Sequence, residues 1–252
     1  MKSFEEVYKF GTFDVEGVSF PRFLLGTSPF IGAGQFGPKS YFYYRHFYEQ
    51  PANITKIIIE CVEAGCNAVQ AIGYPPILEA VGKAMEDSDA EIFLFGTVGL
   101  GNISEEVEAF SLLKPSCLVI HGSYTDKNLA GALHHLKEIR RRFNKIVTGV
   151  SVHMPGIVIE KTLEAHEVQI ILTPINKKGA FMRPTQGSTL QAIEKAREAG
   201  KRVIAMKALA AGDLSPDEAF PYLKDKVDGL TVGLTSEEEI KEALGAAAKF
   251  LT

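Results

Sequence analysis

A chain of 252 residues with a hydrophobic fraction of 46% and a charged fraction of 23% can bury a substantial core and has an ordinary globular balance. Its formal net charge of −4 gives no electrostatic reason to invoke nucleic acid, and no apolar run is long enough to span a bilayer. The cysteines Cys61, Cys66 and Cys117 form no CxxC or Cys/His cluster, which argues against a disulfide framework or zinc site and for a reducing compartment.

The opening residues, "MKSFEEVYKFGTF", carry acids where a signal peptide needs an apolar stretch, so a cytoplasmic location is expected. Next comes "FGTFDVEGVSFPRF" (10–23), whose alternating apolar residues around Glu16-Gly17 predict a β-hairpin. From there one grammar repeats to the end of the chain: a short apolar run, a polar turn, then helical spacing. The runs fall at 22–26, 67–72, 91–98, 117–122, 146–152, 168–175, 202–209 and 229–234. Rich in Val, Ile and Leu and barely alternating, they read as strands buried on both faces.

Helices are expected at 53–64, 76–87, 104–113, 127–142, 157–166, 188–199, 215–224 and 236–250. Ser104, Ser188 and Ser215 are candidate N-caps, with Pro216 suited to a first turn, and Gly65 and Gly200 suit helix C-caps. Eight strands alternating with eight helices require parallel pairing. That count in about 250 residues predicts an α/β fold, a (βα)8 TIM barrel with an N-terminal β-hairpin plugging its bottom, as one domain over 1–252. A doubly wound open sheet is the weaker alternative. The basic run "RRR" (140–142) reads as a solvated outer helix face.

Between the first strand and first helix lies a long connection, 27–50, ending in "YFYYRHFYEQ". Its aromatic run fits neither helical nor strand periodicity, and connections this long are functional or disordered more often than not. Rings at this density argue against disorder. The expectation is a lid roofing a pocket, with Phe30 and Tyr44 among its ligand contacts. A contact with neighbouring loops or a second subunit is the competing reading, which leaves a homo-oligomer open.

Barrel chemistry sits at the C-terminal strand ends. The register puts Thr27 and Ser28, Gln70 and Tyr74, Thr97, His121, Ser151 and His153, Asn176, Lys207, and Gly233, Thr235 and Ser236 at one mouth. Each has a structural reading beside the functional one. His121 is either a core histidine or an acid–base group, and His153 a loop residue or a site residue. Lys207 is either a Schiff-base lysine or a cation that pairs with a carboxylate or reaches water. "TSEEEI" (235–240) either turns amides toward a phosphate or forms a capping box through Ser236 and Glu239. No acidic residue stands beside the two histidines to complete a metal set, and the sequence has no G-x-S-x-G, Walker A or Rossmann fingerprint.

The order of these pieces resembles the aldo-keto reductase superfamily. "VSFPRFLLGTSPFIGAG", "AGCNAVQAIGYPPILEAVGKAME", "CLVIHG", "GVS", "RVIAMKALAAGDL" and "VDGLTVGLTSEEEIKEAL" carry the likeness along nearly the whole chain. The resemblance implies NADPH-dependent carbonyl reduction by an Asp, Tyr, Lys and His. His121 matches and Tyr74 lies near its place, one residue closer to Gln70 than the family spacing; these two are the catalytic candidates. Gln70 stands in place of the Asp, and the third strand offers Thr97 or Val98 in place of the Lys. Gly233, Thr235 and Ser236 occupy the cofactor side, where NADP or NAD is implied. The basic residues expected there are missing, with Glu237 to Glu239 and Ala243 instead; Val152 replaces an Asn.

Three functions follow as expectations. The first is a small-molecule-binding barrel without the standard reduction, lined by Gln70, His153, Asn176 and Lys207. The second is a divergent NAD(P)H oxidoreductase, and the third a non-catalytic interaction protein using the aromatic run.

Overall fold

The computed structural model describes residues 7–251, so the first six residues and the last lie outside it. β1 (Thr12–Val15) and β2 (Val18–Pro21) form an antiparallel hairpin with Val15 opposite Val18. Its turn residues Glu16 and Gly17 have φ of 51° and 83°, the left-handed region of a tight hairpin turn.

Eight strands then close a parallel barrel: β3 (Phe23–Gly26), β4 (Ala68–Ile72), β5 (Phe93–Val98), β6 (Cys117–Ile120), β7 (Val147–Ser151), β8 (Ile170–Pro174), β9 (Arg202–Met206) and β10 (Gly229–Val232). β10 pairs with both β3 and β9, which removes the sheet edges.

Two apolar clusters explain why these strands read as unbroken apolar runs. One fills the barrel: Leu24, Ala68, Phe95, Cys117, Val119, Val147, Ile170, Leu172 and Ile204. The other lies between barrel and helices and takes the alternate positions, such as Phe23, Leu25, Leu94, Leu118, Val150 and Ile171. The two-residue period is real, but both faces are buried.

The hairpin belongs to the inner cluster. Phe20 is fully buried, packing edge-on to Phe93 at 4.8 Å and stacking on Phe13 at 5.5 Å. Phe93 and Arg202 begin their strands, and Arg202 Nε donates to the Asp14 carbonyl at 3.0 Å. The hairpin therefore closes the N-terminal end, leaving the other end open as the mouth.

The helices are α1 (Lys39–Tyr43), α2 (Pro51–Glu63), α3 (Pro75–Asp87), α4 (Ile103–Ser111), α5 (Gly122–Thr125), α6 (Leu129–Arg142), α7 (Pro155–Val158), α8 (Gln186–Glu198), α9 (Pro216–Leu223) and α10 (Glu237–Ala248). Several boundaries correct the sequence reading. Asn102, not Ser104, caps α4, accepting from the Ser104 and Glu105 amides. Thr185 caps α8, and Ser188 is the third helical residue, whose hydroxyl closes the capping box. The helix expected at 157–166 is only α7 followed by a 3-10 turn, Ile159–Thr162. Ser215 does precede α9, with Glu218 accepting from its backbone N–H and hydroxyl at 3.0 Å.

The aromatic run is helical, not an irregular loop. α1 passes directly into a π-helical turn, Tyr44–Tyr48, which inserts a residue into the spacing. That insertion is why the run matches no regular period. Phe47 is buried against Phe30 at 4.9 Å, whereas Tyr41 and Phe42 are 74% and 61% exposed.

On the outer surface, Arg140 pairs with Glu16 at 3.2 Å and Arg141 with Glu138 at 2.5 Å, so the basic run is a paired, solvated face. The three cysteines are buried and free. Among the described residues no helix is long and apolar enough to cross a membrane.

A candidate ligand site at the barrel mouth

The alternation that fills the barrel also selects what lines its mouth. Two residues beyond Ala68, Phe95, Val119, Val147 twice over, Ile204 and Gly229 come Gln70, Thr97, His121, Ser151, Met206 and Thr231. Gln70 and Thr97 are buried neighbours, and the Gln70 Nε2 amide donates to Thr97 Oγ1 at 2.8 Å. Both partners of this buried hydrogen bond are neutral.

A cavity of about 780 Å³ opens beside these residues, lined by Gly26, Gln70, Lys207, Thr231, Gly233 and Thr235. Small-molecule sites run from about 300 to 1,000 Å³. Phe36 and Tyr43 form its aromatic wall, so the run after β3 does reach the pocket, through Tyr43 rather than Tyr44. Thr231 is 6% exposed and its hydroxyl has no hydrogen-bond partner. Leaving such a group unsatisfied costs about 1–3 kcal/mol, which a ligand atom would recover.

The segment after β9 is strained. Lys207, Ala210 and Ala211 have φ of 56°, 50° and 64°. A left-handed L residue costs roughly 1–2 kcal/mol, and such residues gather at functional sites. Lys207 and Ala211 both line the cavity.

The two histidines do not line this cavity, but both feel the charge of Lys207, which does. His121 follows β6 and caps the short α5; its Nδ1 accepts from the Ser123 amide at 3.1 Å and lies 2.9 Å from the Ser123 hydroxyl. Accepting at Nδ1 leaves Nε2 as the protonated nitrogen of the neutral ring. The His153 ring is 5.2 Å away, edge to face. Its backbone N–H donates to Asp126 Oδ2 at 2.9 Å. Glycine at 122 makes this approach possible, since a Cβ there would meet the His153 ring at 3.0 Å.

Burial, reinforced by the Lys207 charge, holds the His121 pKa down at about 4. His153 is also held at about 4, by burial first and then by Lys207, His121 and Arg183. Both imidazoles are neutral at pH 7. Lys207 itself is lowered by burial and by Arg183, against the opposing pull of Asp126. Its Nζ lies 4.8 Å from the centre of the Phe181 ring.

The other expected residues are placed as follows. Tyr74 sits at the N-cap position of α3 without a capping side-chain bond, and its ring faces Tyr48 at 6.0 Å. Asn176 is fully buried; its amide donates to the Ala180 and Lys207 carbonyls and its oxygen accepts from the Ala180 N–H. It ties the turn after β8 to the base of Lys207. Phe30 is fully buried under Phe47, and Tyr44 stacks on Tyr48 at 4.9 Å. Ser236 caps α10 through the Glu239 amide at 3.2 Å. Glu239 does not return to Ser236; it accepts from the Thr235 backbone N–H at 2.7 Å and hydroxyl at 2.9 Å.

Sequence reasoning missed Asp126, Phe181, Arg183 and Thr231. The first three lie on turns beyond strand ends, and Thr231 sits inside an apolar run as its one polar residue.

At the far end of the cavity stand Thr235, Glu239, Glu242 and Ala243. Two carboxylates do not fit a 2′-phosphate, so this donor set disagrees with NADPH. Carboxylates are acceptors and suit hydroxyl groups instead. Among the described residues no group of three or more His, Cys, Asp or Glu is arranged to hold a metal ion.

A closed parallel barrel with a hairpin plug and a polar mouth defines the architectural class: a (βα)8 barrel with a site at the C-terminal strand ends. Comparison with solved structures narrows it. A Pseudomonas aeruginosa protein assigned to the aldo-keto reductases superposes with a TM-score of 0.74 at 17% identity, covering 98% of each chain. The holo form of an aldo-keto reductase from Bacillus halodurans gives 0.69 at 15%, covering 95% of this chain and 91% of that one. A mutant protein crystallised with NADPH gives 0.68 at 15%, covering 95% and 88%. The chain has the aldo-keto-reductase-like barrel fold. No family model and no curated protein matches it.

Proposed function

We propose that this chain is a small-molecule-binding aldo-keto-reductase-like barrel that does not carry out the standard NADPH carbonyl reduction. The observation that carries this reading is the Gln70–Thr97 hydrogen bond at 2.8 Å. Removing one member of a buried ion pair strands a charge, whereas replacing both with neutral, mutually bonded groups does not. A tyrosine with no lysine at that place lacks the cation that makes it a useful acid near neutral pH. Binding is supported by the cavity, by the orphaned Thr231 hydroxyl and by the strained segment at Lys207 and Ala211.

A thermal-shift screen of metabolites tests it, with Ser28→Phe placed in the cavity wall as the control. Compounds that raise the Tm of the wild type and not of the variant are expected. If no compound does so, and native mass spectrometry finds no bound ligand, the reading fails.

A second reading is a divergent NAD(P)H oxidoreductase with His121 or Tyr74 as proton donor. The cavity's extension from Gln70 to Ala243 favours it, and Glu239 and Glu242 point to NADH over NADPH. Fluorescence titration separates the readings: no response to either nucleotide at near-millimolar concentration ends the second.

A further inference from the structure

Lys207 is an unusual occupant of its position. β9 ends at Met206, and strict alternation would turn the next side chain outward to the helix layer. The left-handed backbone at Lys207, φ 56°, breaks that alternation and puts the side chain on the cavity wall. An L residue with a long side chain is held in this conformation against its preference.

The surroundings of its amine are equally specific. Phe181 covers it at 4.8 Å, and among the described residues no carboxylate forms an ion pair with it. The charged groups that act on it are Arg183, which repels, and Asp126, which attracts. Asp126 Oδ2 is taken by the His153 N–H, and its Oδ1 is buried with no partner. The Lys207 charge bears on both His121 and His153. A lysine in an apolar setting beside another cation is the arrangement that makes an amine nucleophilic.

We infer that Lys207 is a nucleophile that condenses with the ketone carbon of a small 2-oxo acid held in the mouth, forming an imine. The inference rests on the reading of the mouth as a small-molecule site. Arg183, which forms no ion pair among the described residues, supplies the charge complementary to the substrate carboxylate. The His121 Nε2–H hydrogen-bonds the ketone oxygen.

The free amine attacks the carbonyl carbon, forming the C–N bond, and the π pair moves to oxygen. His153 takes the proton that nitrogen sheds and returns it to the alkoxide oxygen, giving the carbinolamine. A proton from water then releases that hydroxyl as water while the nitrogen lone pair forms C=N, and the iminium gives its remaining N–H proton back to solvent. One amine and one ketone give one imine and one water, with no oxidant or reductant consumed.

The test is reductive trapping on the full wild-type chain with pyruvate and sodium cyanoborohydride at pH 7, followed by peptide mapping. Each unit by which an amine's pKa lies below the ordinary lysine value raises its free fraction about tenfold. Lys207 should therefore carry more label than exposed Lys137 or Lys249, and keep its label to lower pH than they do. His153→Ala should slow the labelling, and Lys207→Arg should abolish the adduct.

Label on Lys207 no greater than on the surface lysines overturns the inference, as does labelling that His153→Ala leaves unchanged. A Tm rise with pyruvate but no Lys207 adduct shows an anion site without covalent chemistry; it overturns the inference and leaves the small-molecule reading standing. Failure of every compound to stabilise the chain would remove that reading separately.

Discussion

At the scale of single residues, the mouth holds neutral groups that pair with one another beside one half-buried cation, Lys207. Gln70 and Thr97 satisfy each other where a charge pair would demand dense compensation. The two histidines follow the same logic: their neutral forms are favoured by burial, and His121 already spends Nδ1 on Ser123. Proton linkage then has a definite sign. Both folded-state pKa values, about 4, lie below the ordinary value of 6.5, so between them the unfolded chain binds more protons. Stability should fall as pH drops from 6.5 towards 4, by at most roughly 1.4 kcal/mol per pH unit for each imidazole. Asp126, raised by burial, works in the opposite direction in its own range. Chemical denaturation across this window checks the slope, and His121→Gln with His153→Gln should flatten it. NMR titration showing either ring protonating near its ordinary pKa would refute the assignment.

The positions of these residues in the fold were legible in the sequence. His121, His153, Lys207 and Gln70 stand at strand ends, which a strand count reaches directly. Asp126, Phe181 and Arg183 were not, because the turns that carry them have no period to register against the mouth. Asn176 was legible in position but not in role: only the contacts show that its amide is consumed by the Ala180 and Lys207 backbone.

At the scale of elements, the aromatic run after β3 behaves as a wedge with three faces. Phe47 anchors it on Phe30, Tyr43 meets the cavity, and Tyr41 and Phe42 look outward. Gly32 fixes its approach: its φ is 61°, and a Cβ there would collide with the Ser40 carbonyl oxygen and the Tyr44 side chain. Phe47→Ala should therefore cost about 3–5 kcal/mol, the usual range for a buried aromatic. Tyr43→Ala, at a half-buried ring that also packs on Phe36 and Phe47, should lower the Tm less than Phe47→Ala and weaken binding of any compound that stabilises the wild type. Equal loss of stability in both variants would show that Tyr43 is a packing residue. The strands were readable because burial on both faces leaves continuous Val, Ile and Leu. The wedge was not, because one π turn erases the period on which such readings depend. Helix starts were misread where serine was preferred to a neighbouring Asn or Thr; the cap belongs to whichever oxygen reaches the free amides.

At the scale of the whole molecule, barrel closure brings eight strand ends to one mouth while the hairpin seals the other with Phe20. This division leaves the open end free to vary without touching the core, which is how one barrel supports different chemistries. The alternation of eight strands and helices made the architecture legible from sequence. The chemistry of the mouth was less so, since it depends on which side chains are already spoken for. The central claim is that this mouth binds a small molecule without the standard hydride transfer. Its most direct test is NADPH consumption by the wild-type protein with a panel of aldehydes and ketones. The expected rate equals that of the solution without protein for every carbonyl compound. Sustained turnover that His121→Ala abolishes would contradict it.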